Sequence, residues 1–504
     1  MAAAKKKTIK IKVDKQSTLT NYSVSKEFVT ELNFFDLTGE KAKTKGSSCK
    51  FYHLELQISP DNKCQLYSEY GPTGRIQARE WRYFDTDIEA AQKEYQKIIK
   101  SKIKKGYQQI DVAKRAVGST EAKKHEQPKQ NNKTLKKKKT KPINLLHDET
   151  SRIISTLMGS TKSFVDSTLK CPLGQLSDDQ INSGRTCLQQ ATAIVNGTEK
   201  LTKKAQEDKI KELTNQFYTL IPHNLGAGSR GVLNHLLLDS IGKINQKEYD
   251  LDTLSDAKAI GNTLAADNDT YQQYLSLDTT FEYIEKNDPL FSWLNSMVVN
   301  TKASNHGHLG KVILLNAWKV DRKSERNIFL SKAKSIAKEC GKQVIPNLIK
   351  NLVTSRTDIL DNDLYKKANI LPLFHGTRTQ NVTGILKKGM LIRPSGVVIT
   401  GAMYGSGTYW AQNSTKSINY TSIRTSYWAK GSDDRGFLFL GDCVLGNQHI
   451  ANRAYQYNLK NIAPCHSVWA KSGKSGIIND EFMLYRTDQH HLRYLLEFTC
   501  RKGR

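Results

Sequence analysis

Alternating apolar and polar residues near the amino terminus predict a small β-sheet. The alternation runs through FYHLELQI (51–58) and KCQLYSEYG (63–71), and GPTG (71–74) follows as a turn. Farther on, IEAAQKEYQKIIKSKI (88–103) carries apolar residues at helical spacing, which predicts an amphipathic helix with one buried face. This first part of the chain is therefore predicted to be a small, β-rich α+β domain.

A basic segment at 118–142 interrupts this pattern. It has almost no apolar residues and contains the run Lys136, Lys137, Lys138 and Lys139. Because such a segment cannot bury enough surface to fold alone, we predict a disordered linker. Its lysines fit a nuclear-import signal or a loose phosphate contact, and they fit a solvated spacer equally well.

Two further domains are predicted downstream of this linker. Apolar residues at helical spacing between 143 and 265 predict an all-α domain. From 275 to the end, short β-rich runs such as KVILLNAW (311–318) and FLFLGDCVLG (437–446) alternate with short helices, which predicts a mixed α+β domain. Inside it, the stretch 329–355 is predicted to form one or two inserted helices.

The charge of the chain favours a polyanionic partner. The 504 residues contain 77 Lys and Arg but only 49 Asp and Glu, a formal net charge of +28. DNA, RNA or an anionic membrane surface would match such an excess, while a merely soluble basic surface is the alternative.

The cysteines and the start of the chain bear on metal binding and on the cellular compartment of the protein. The eight cysteines are scattered with no two at metal-ligand spacing, so we expect no metal site and a reduced intracellular compartment. The start, MAAAKKKTIKIKVDK, lacks the apolar core of a signal peptide, and no apolar run of about eighteen residues occurs. We therefore expect a soluble protein with no membrane partner.

Two motifs in the last predicted domain carry the candidate chemistry. LFHGTRTQN (373–381) places a histidine beside a glycine, and GSGTYWAQNSTKSINY (405–420) places Tyr409 and Tyr420 eleven residues apart with Ser417 between them. Aromatic rings stack on the faces of a flat aromatic amide such as nicotinamide, and a glycine lets the backbone approach its carboxamide. The motifs therefore provide the kind of surface that a flat aromatic amide needs.

These motifs resemble the catalytic domain of the poly(ADP-ribose) polymerase family. The resemblance covers 275–504 and includes two more blocks in the same order, FLGDCVLGN (439–447) and DEFMLYRTDQHHLRYLLEF (480–498). Upstream, CPLGQLSDDQI (171–181) and QFYTLIPHNLG (216–226) resemble the family's helical regulatory domain, which restrains the enzyme. The resemblance implies a regulatory domain at 143–265.

The amino-terminal domain, 1–117, resembles the family's WGR domain, which senses DNA ends. The Trp-Gly-Arg of that domain appears here as Tyr70, Gly71 and Pro72, so its arginine is missing unless Arg75 takes the same place. The resemblance implies that Tyr70, Gly71 and Arg75 contact DNA, together with the four linker lysines. A module that binds protein instead is the alternative.

The resemblance also implies the roles of the catalytic residues. His375, Tyr409 and Glu481 correspond to the family's His-Tyr-Glu triad, in which the glutamate distinguishes polymer-forming members from those that add single units. Glu481 would stabilise positive charge on the ribose and activate the acceptor.

NAD is the implied substrate. His375 would hold a ribose of NAD, Gly376 and Ser417 the carboxamide, and Tyr420 and Tyr409 the two faces of the nicotinamide. The full implied NAD-binding set is His375, Gly376, Asn381, Tyr409, Lys416, Ser417 and Tyr420.

The sequence thus predicts a DNA-break-activated, NAD-dependent poly(ADP-ribose) polymerase of the DNA damage response. DNA strand breaks, acceptor proteins including the enzyme itself and an accessory factor are the implied partners. The implied location is the nucleus, or the cytoplasm and nucleoid for a prokaryotic source. The alternatives are a mono(ADP-ribosyl) transferase and a catalytically silent DNA-end scaffold. A dehydrogenase built on GAGSRG (226–231) is disfavoured, because LIPHNL precedes that motif where a buried strand is required.

Overall fold

The computed structural model describes most of the chain. The described residues are 11–17, 19–37, 48–73, 75–110, 146–170, 173, 176–199, 201–224, 234–264, 269–340, 342–359, 361–392 and 403–501. They form two compact units, one made of residues 1–141 and 165–255 and the other of 142–164 and 256–504. The predicted linker, its lysine run and the GAGSRG motif lie outside the described residues.

The first unit contains a six-stranded antiparallel sheet with one helix against it. The strands pair in the order β1-β5-β4-β3-β2-β6. Their bounds, with those of the helix, are β1 Lys12–Asp14, β2 Ser23–Asp36, β3 Ser48–Ile58, β4 Cys64–Pro72, β5 Ala78–Asp85, α1 Ile88–Lys104 and β6 Gln108–Ile110. The predicted strands and helix are confirmed, although β4 continues to Pro72, so the predicted turn begins later.

The alternation in β3 and β4 places apolar side chains against α1. Leu56 pairs with Leu66 across the two strands, and both pack with Tyr95 and Ile99 of the helix. The Asp87 side chain caps the helix by accepting a hydrogen bond from the Ala90 amide. Burial of this apolar face is what stabilises so small a domain.

The opposite face of the sheet buries a charged cluster. His53 lies between Glu31 and Glu55, with its Nε2 2.8 Å from Glu55 Oε1. Burial alone lowers the pKa of His53, but the two carboxylates outweigh it and raise this pKa to about 10. The imidazole is therefore charged at neutral pH.

Helices complete the first unit. They are the end of α2 (Asp148–Thr168), α3 (Asp178–Val195), α4 (Lys203–Leu220) and most of α5 (Ile241–Ile260). One of them, α4, packs against the sheet. The predicted helical character of this part of the chain is confirmed. At the end of α4, Thr219 accepts hydrogen bonds from the Phe35 amide and the Asn33 side chain of β2, and the Phe35 ring contacts Tyr218.

The second unit is built on two β-sheets. A five-stranded sheet has the order β7-β8-β15-β11-β9, and a four-stranded sheet has the order β10-β14-β13-β12. The strands are β7 Thr280–Tyr283, β8 Lys311–Asp321, β9 Ile370–Gly376, β10 Thr408–Trp410, β11 Gly436–Val444, β12 Gln448–Ala451, β13 Ser467–Ala470, β14 Glu481–Leu484 and β15 His490–Arg501. The predicted strands of this domain are thereby confirmed.

Short helices surround these sheets. They are α6 Thr270–Leu275, α7 Pro289–Asn300, α8 Lys323–Ala337, α9 Lys350–Thr354, α10 Asn362–Lys367, α11 Thr379–Lys388 and α12 Ser414–Ile418. The predicted inserted helices at 329–355 correspond to the second half of α8 and to α9. No helix among the described residues is long and apolar enough to cross a membrane.

A buried ion-pair cluster fastens the loop after α9 to the five-stranded sheet. Arg356 pairs with Asp442 of β11 and with Asp358, and Arg493 of β15 pairs with the same two carboxylates. These arginines outweigh the effect of burial and hold the pKa of Asp442 below its usual range. The cluster replaces apolar packing at this point and stays charged because every carboxylate has a partner.

Candidate functional site

The three predicted catalytic residues lie on three strands of the second unit. His375 stands near the end of β9, Tyr409 in the middle of β10 and Glu481 at the start of β14. Strands β10 and β14 are antiparallel neighbours, with Tyr409 opposite Met483. Backbone hydrogen bonds in both directions between Phe374 and Ala411 join the end of β9 to the end of β10. The fold therefore gathers residues that are far apart in sequence onto rigid elements.

The tautomer of His375 follows from its backbone partner. Its Nδ1 lies 3.0 Å from the carbonyl oxygen of Tyr409, which accepts only, so Nδ1 carries the proton. Burial lowers the pKa of His375, which keeps the ring neutral. The Nε2 lone pair is then available to accept a hydrogen bond from a hydroxyl group.

Gly376 is required by the close approach of α12. A Cβ atom at this position would overlap the carbonyl oxygen of Ser417. The Ser417 hydroxyl donates to the carbonyl of Phe374 at 3.1 Å, so its lone pairs remain available as acceptors. The Gly376 backbone and the Ser417 hydroxyl thus lie side by side, as the sequence predicts for residues that bind one carboxamide.

The Tyr409 ring is fixed by its hydroxyl. This hydroxyl donates to the carbonyl of Gly405 at 2.8 Å and accepts from the amide of Tyr404 at 3.1 Å. Burial raises the pKa of Tyr409, so the phenol stays protonated. With one end held in this way, the ring can serve as a stacking surface rather than as a proton donor to substrate.

Glu481 and Lys416 form the ion pair of the site. Lys416 Nζ lies 3.5 Å from Glu481 Oε2 and donates to the carbonyl of Asn479 at 2.8 Å. Burial raises the pKa of Glu481, while the ammonium of Lys416 acts in the opposite direction. Burial likewise lowers the pKa of Lys416, opposed by Glu481. Each charge thus opposes the effect of burial on the pKa of the other.

Asn381 lies on α11, the helix that follows the histidine motif. Its Nδ2 donates to the hydroxyl of Thr377 at 3.2 Å. Thr379, at the start of the same helix, donates its amide to the hydroxyl of Ser422. These hydrogen bonds position the start of α11 directly after the histidine motif, and Asn381 belongs to the NAD-binding set that the resemblance implies.

Two exposed aromatic residues stand next to the predicted stacking ring, and the sequence motifs do not identify them. Trp428 is 63% exposed and lies nearly parallel to Tyr420, with ring centroids 6.4 Å apart, and Tyr427 is 62% exposed. Their backbone amides donate to Asn419, which holds the loop rigidly. The signal in the sequence was two consecutive aromatic residues in an otherwise polar stretch.

The candidate DNA-binding residues of the first unit lie at the end of β4, with Tyr70 and Gly71, and just after it, with Arg75. The Tyr70 hydroxyl donates to Glu80 at 2.7 Å, and the Gln77 amide donates to the carbonyl of Tyr70. A Cβ atom at Gly71 would clash with the backbone of Arg75 and Gln77, so this glycine is needed for the turn itself. Arg75 is exposed. The candidate lysines at 136–139 lie outside the described residues.

The described residues contain no cluster of three or more His, Cys, Asp or Glu side chains that could hold a metal ion. What they contain instead is a mostly buried carboxylate with an ammonium partner, two tyrosines, a neutral histidine and a glycine–serine contact. This set of groups fits a flat aromatic amide attached to a sugar.

Comparison with known proteins identifies three parts of the chain. Family models match residues 35–114 (WGR domain), residues 134–281 (poly(ADP-ribose) polymerase, regulatory domain) and residues 291–500 (poly(ADP-ribose) polymerase catalytic domain). The three matches together cover most of the chain, in the order that the sequence predicts. The chain belongs to the poly(ADP-ribose) polymerase family.

Individual relatives are distant in sequence, and their names agree with the family models. The chain is 27% identical over 397 residues to poly [ADP-ribose] polymerase 1 of Xenopus laevis, which covers 72% of this chain and 34% of the relative. It is 24% identical over 361 residues to poly [ADP-ribose] polymerase 2-A of Oryza sativa, covering 65% of this chain and 47% of the relative. The aligned part of the chain thus spans between a third and a half of the length of these relatives.

Proposed function

We propose that the protein is an NAD-dependent poly(ADP-ribose) polymerase that is activated by DNA breaks. The observation that carries the proposal is the gathering of His375, Tyr409 and Glu481 around the contact between Gly376 and Ser417. Each of these groups has a role in transferring ADP-ribose from NAD to an acceptor with release of nicotinamide.

The chemistry needs one carboxylate rather than two. Nicotinamide leaves NAD as a neutral molecule from a cationic ring, so the leaving group needs no proton from an acid, unlike that of an ordinary glycosidase. Positive charge develops on the ribose carbon and ring oxygen, and a fixed carboxylate at Glu481 stabilises it. The same carboxylate polarises the acceptor hydroxyl and raises its nucleophilicity. Lys416 supports both roles by keeping Glu481 ionised.

The remaining residues hold NAD. Tyr420 and Tyr409 take the two faces of the nicotinamide ring, and Ser417 accepts a hydrogen bond from its carboxamide. His375 accepts from a ribose hydroxyl through Nε2, and Asn381 contacts the adenosine side. The proposal assigns binding and orientation to these groups and charge stabilisation to Glu481.

Helix α2 is positioned to restrain the enzyme. Up to Phe164 it belongs to the second unit, where the Thr161 hydroxyl lies 2.8 Å from that of Thr383 and 3.0 Å from the carbonyl of Gln380, both on α11. Arg152 pairs with the buried Glu497 of β15. Because α11 also carries Asn381, a helix docked on it can impede the adenosine side of NAD, and its release would admit the substrate.

DNA is the proposed activator. The WGR domain and the charge of +28 support DNA binding, in which Tyr70, Gly71, Arg75 and the linker lysines would take part. Acceptor proteins, the enzyme itself among them, and an accessory factor are the further proposed partners. The proposed location is the nucleus, or the nucleoid of a prokaryotic source.

One assay tests the proposal as a whole. Full-length protein is incubated with labelled NAD, with and without nicked or blunt DNA, and the products are separated by gel electrophoresis. We expect a ladder or smear that depends on DNA and that Glu481→Gln abolishes. A single labelled band with DNA would instead favour a mono(ADP-ribosyl) transferase, and absence of nicotinamide release under every condition would favour a silent scaffold.

The contribution of the linker lysines is tested separately by DNA binding at several salt concentrations. Replacing the run at 136–139 by glutamine should weaken binding and reduce the slope of log affinity against log salt by roughly one for each phosphate that is no longer neutralised. An unchanged slope would show that this run is a solvated spacer.

A further inference from the structure

His306 lies between the two segments that carry the catalytic ion pair. Its Nδ1 is 2.9 Å from the hydroxyl of Thr415, and its Nε2 is 3.4 Å from the side-chain nitrogen of Asn479. Thr415 directly precedes Lys416 on α12, and Asn479 stands two residues before Glu481 at the entrance to β14. One imidazole therefore bridges two segments that are about sixty residues apart in sequence.

The partners of His306 define its protonation. The amide nitrogen of Asn479 only donates, so Nε2 accepts and Nδ1 carries the proton that is donated to Thr415. The second hydrogen of the Asn479 amide goes to Asn305 Oδ1 at 3.1 Å, which fixes the orientation of this side chain. Burial lowers the pKa of His306 to about 4, with His308 and Lys416 acting in the same direction. The ring is neutral when the enzyme works.

The bridge leads directly to the lysine. The backbone carbonyl of Asn479 accepts the hydrogen bond from Lys416 Nζ at 2.8 Å, and the same Nζ faces Glu481 at 3.5 Å. If the entrance to β14 shifts relative to α12, the ammonium loses its carbonyl partner and its position on the carboxylate. His306 thus acts on the reaction indirectly, through the positions of Asn479 and Thr415.

We propose that His306 is a positioning residue that holds Lys416 on Glu481 by bridging Thr415 and Asn479. This inference rests on the proposed function, because it concerns the same carboxylate. Without the bridge, Glu481 keeps less of the electrostatic support that opposes its burial, and it takes up a proton at higher pH than before. Both charge stabilisation in the transition state and acceptor activation then weaken, while the nicotinamide pocket stays intact.

Other charged groups near the ion pair of Lys416 and Glu481 have hydrogen-bond partners of their own. Asp480 lies on the same segment, but its carboxylate is held by Trp469 Nε1 at 2.9 Å and Gln412 Nε2 at 3.0 Å, away from the bridge. Lys302 donates to the carbonyl of Gly310 at 2.6 Å. The groups that change on removing the imidazole are therefore its two partners, Thr415 and Asn479.

The test is a pH profile of nicotinamide release by full-length protein with saturating DNA and saturating NAD. For His306→Ala we expect kcat at neutral pH to fall by roughly 10-fold to 10²-fold, with KM for NAD within about twofold. The acidic limb of the kcat profile should move to higher pH by about half a unit or more. His306→Gln, which can still accept from Asn479, should recover part of the rate.

Two further variants separate positioning from a general loss of structure. His308→Ala removes a neighbouring histidine that contacts Asn419 instead (2.9 Å), and its acidic limb should stay where the wild type has it. Thr415→Val breaks the other end of the bridge and also the hydrogen bond that the Ala303 amide donates to this hydroxyl at 2.9 Å. The part of its effect that passes through the bridge should be non-additive with His306→Ala in the double variant.

The failure of this inference differs from failure of the proposed function. An unmoved acidic limb in His306→Ala, or a fully additive double variant, overturns the positioning role while leaving the polymerase intact. If His306→Ala does not fold, the Thr415→Val profile decides alone. A wild-type enzyme that releases no nicotinamide would overturn the proposed function itself.

Discussion

Replacing Thr161 by valine should raise activity in the absence of DNA. The hydroxyl of this fully buried residue contacts the carbonyl of Gln380 and the hydroxyl of Thr383, and it also donates to the carbonyl of Leu157 within its own helix. Valine keeps the shape of the side chain but can make none of these bonds. The docked position of α2 is weakened, while its released position loses only the bond within the helix.

The size of the effect follows from the hydrogen bonds that valine cannot make. A net hydrogen bond contributes about 0.5–1.5 kcal/mol, and a buried polar group left without its partner costs about 1–3 kcal/mol. We therefore expect the docked position to be destabilised by about 1–3 kcal/mol relative to the released one. Since 1.4 kcal/mol is a factor of about ten, DNA-free activity should rise by roughly 5-fold to 140-fold, up to the ceiling set by the DNA-stimulated rate.

The assay is the initial rate of nicotinamide release with and without DNA, together with a thermal melt. Thr161→Ser keeps the hydroxyl and should behave like the wild type. Thr156→Val removes an exposed hydroxyl that donates to the carbonyl of Arg152 on the same helix, so it controls for the missing bond within the helix. If Thr161→Val lowers the melting temperature but leaves DNA-free activity unchanged, the contact stabilises the fold without restraining the enzyme.

Three other substitutions test the site and the first unit. Glu481→Gln should slow nicotinamide release by about 10²–10³ and shorten chains further, with NAD affinity nearly unchanged, as seen by radiolabelled product gels. Gly376→Ala forces Ser417 to move, so a nicotinamide analogue should bind at least roughly tenfold more weakly by calorimetry while DNA binding persists. His53 has a folded pKa of about 10 against an ordinary 6.5, so its charged form contributes stability that is complete below pH 6.5 and is lost as pH rises through 10. Thermal melts should show that His53→Gln is less stable than the wild type at pH 7 and that its melting temperature falls less steeply towards pH 10. Melting temperatures that fall in parallel for both proteins would contradict this.

Periodicity and motif order predicted much of what the structure shows. The period-two alternation placed β3 and β4, and the helical spacing placed α1, because burial of one face leaves a signal in a short window of sequence. The motifs placed His375, Tyr409 and Glu481 in one site, although nothing in their spacing states that β10 and β14 are neighbours.

The contacts that tune the site were not predictable in the same way. His306 and Asn479 are 173 residues apart, and Thr161 and Thr383 are 222 residues apart. Single polar residues of these types are common on any surface, so neither pair has a local pattern that distinguishes it. Only the topology of the second unit shows that they meet, and a single sequence contains no information on such pairing.

The catalytic and regulatory parts of the second unit differ in how they are held. Strand pairing fixes the triad residues, and an arginine–aspartate cluster fastens the loop after α9 to the sheet, so moving them would break many backbone hydrogen bonds at once. Helix α2 is instead held by side chains, through the polar contacts of Thr161 and Arg152 and through the buried residues Ile153, Ile154, Leu157 and Met158. A ligand can shift the equilibrium between two states of a protein only by the difference between its binding free energies to those states. This difference is commonly a few kcal/mol. We therefore expect a binding event to act on the side-chain contacts of α2 rather than on the strand pairing that holds the catalytic residues.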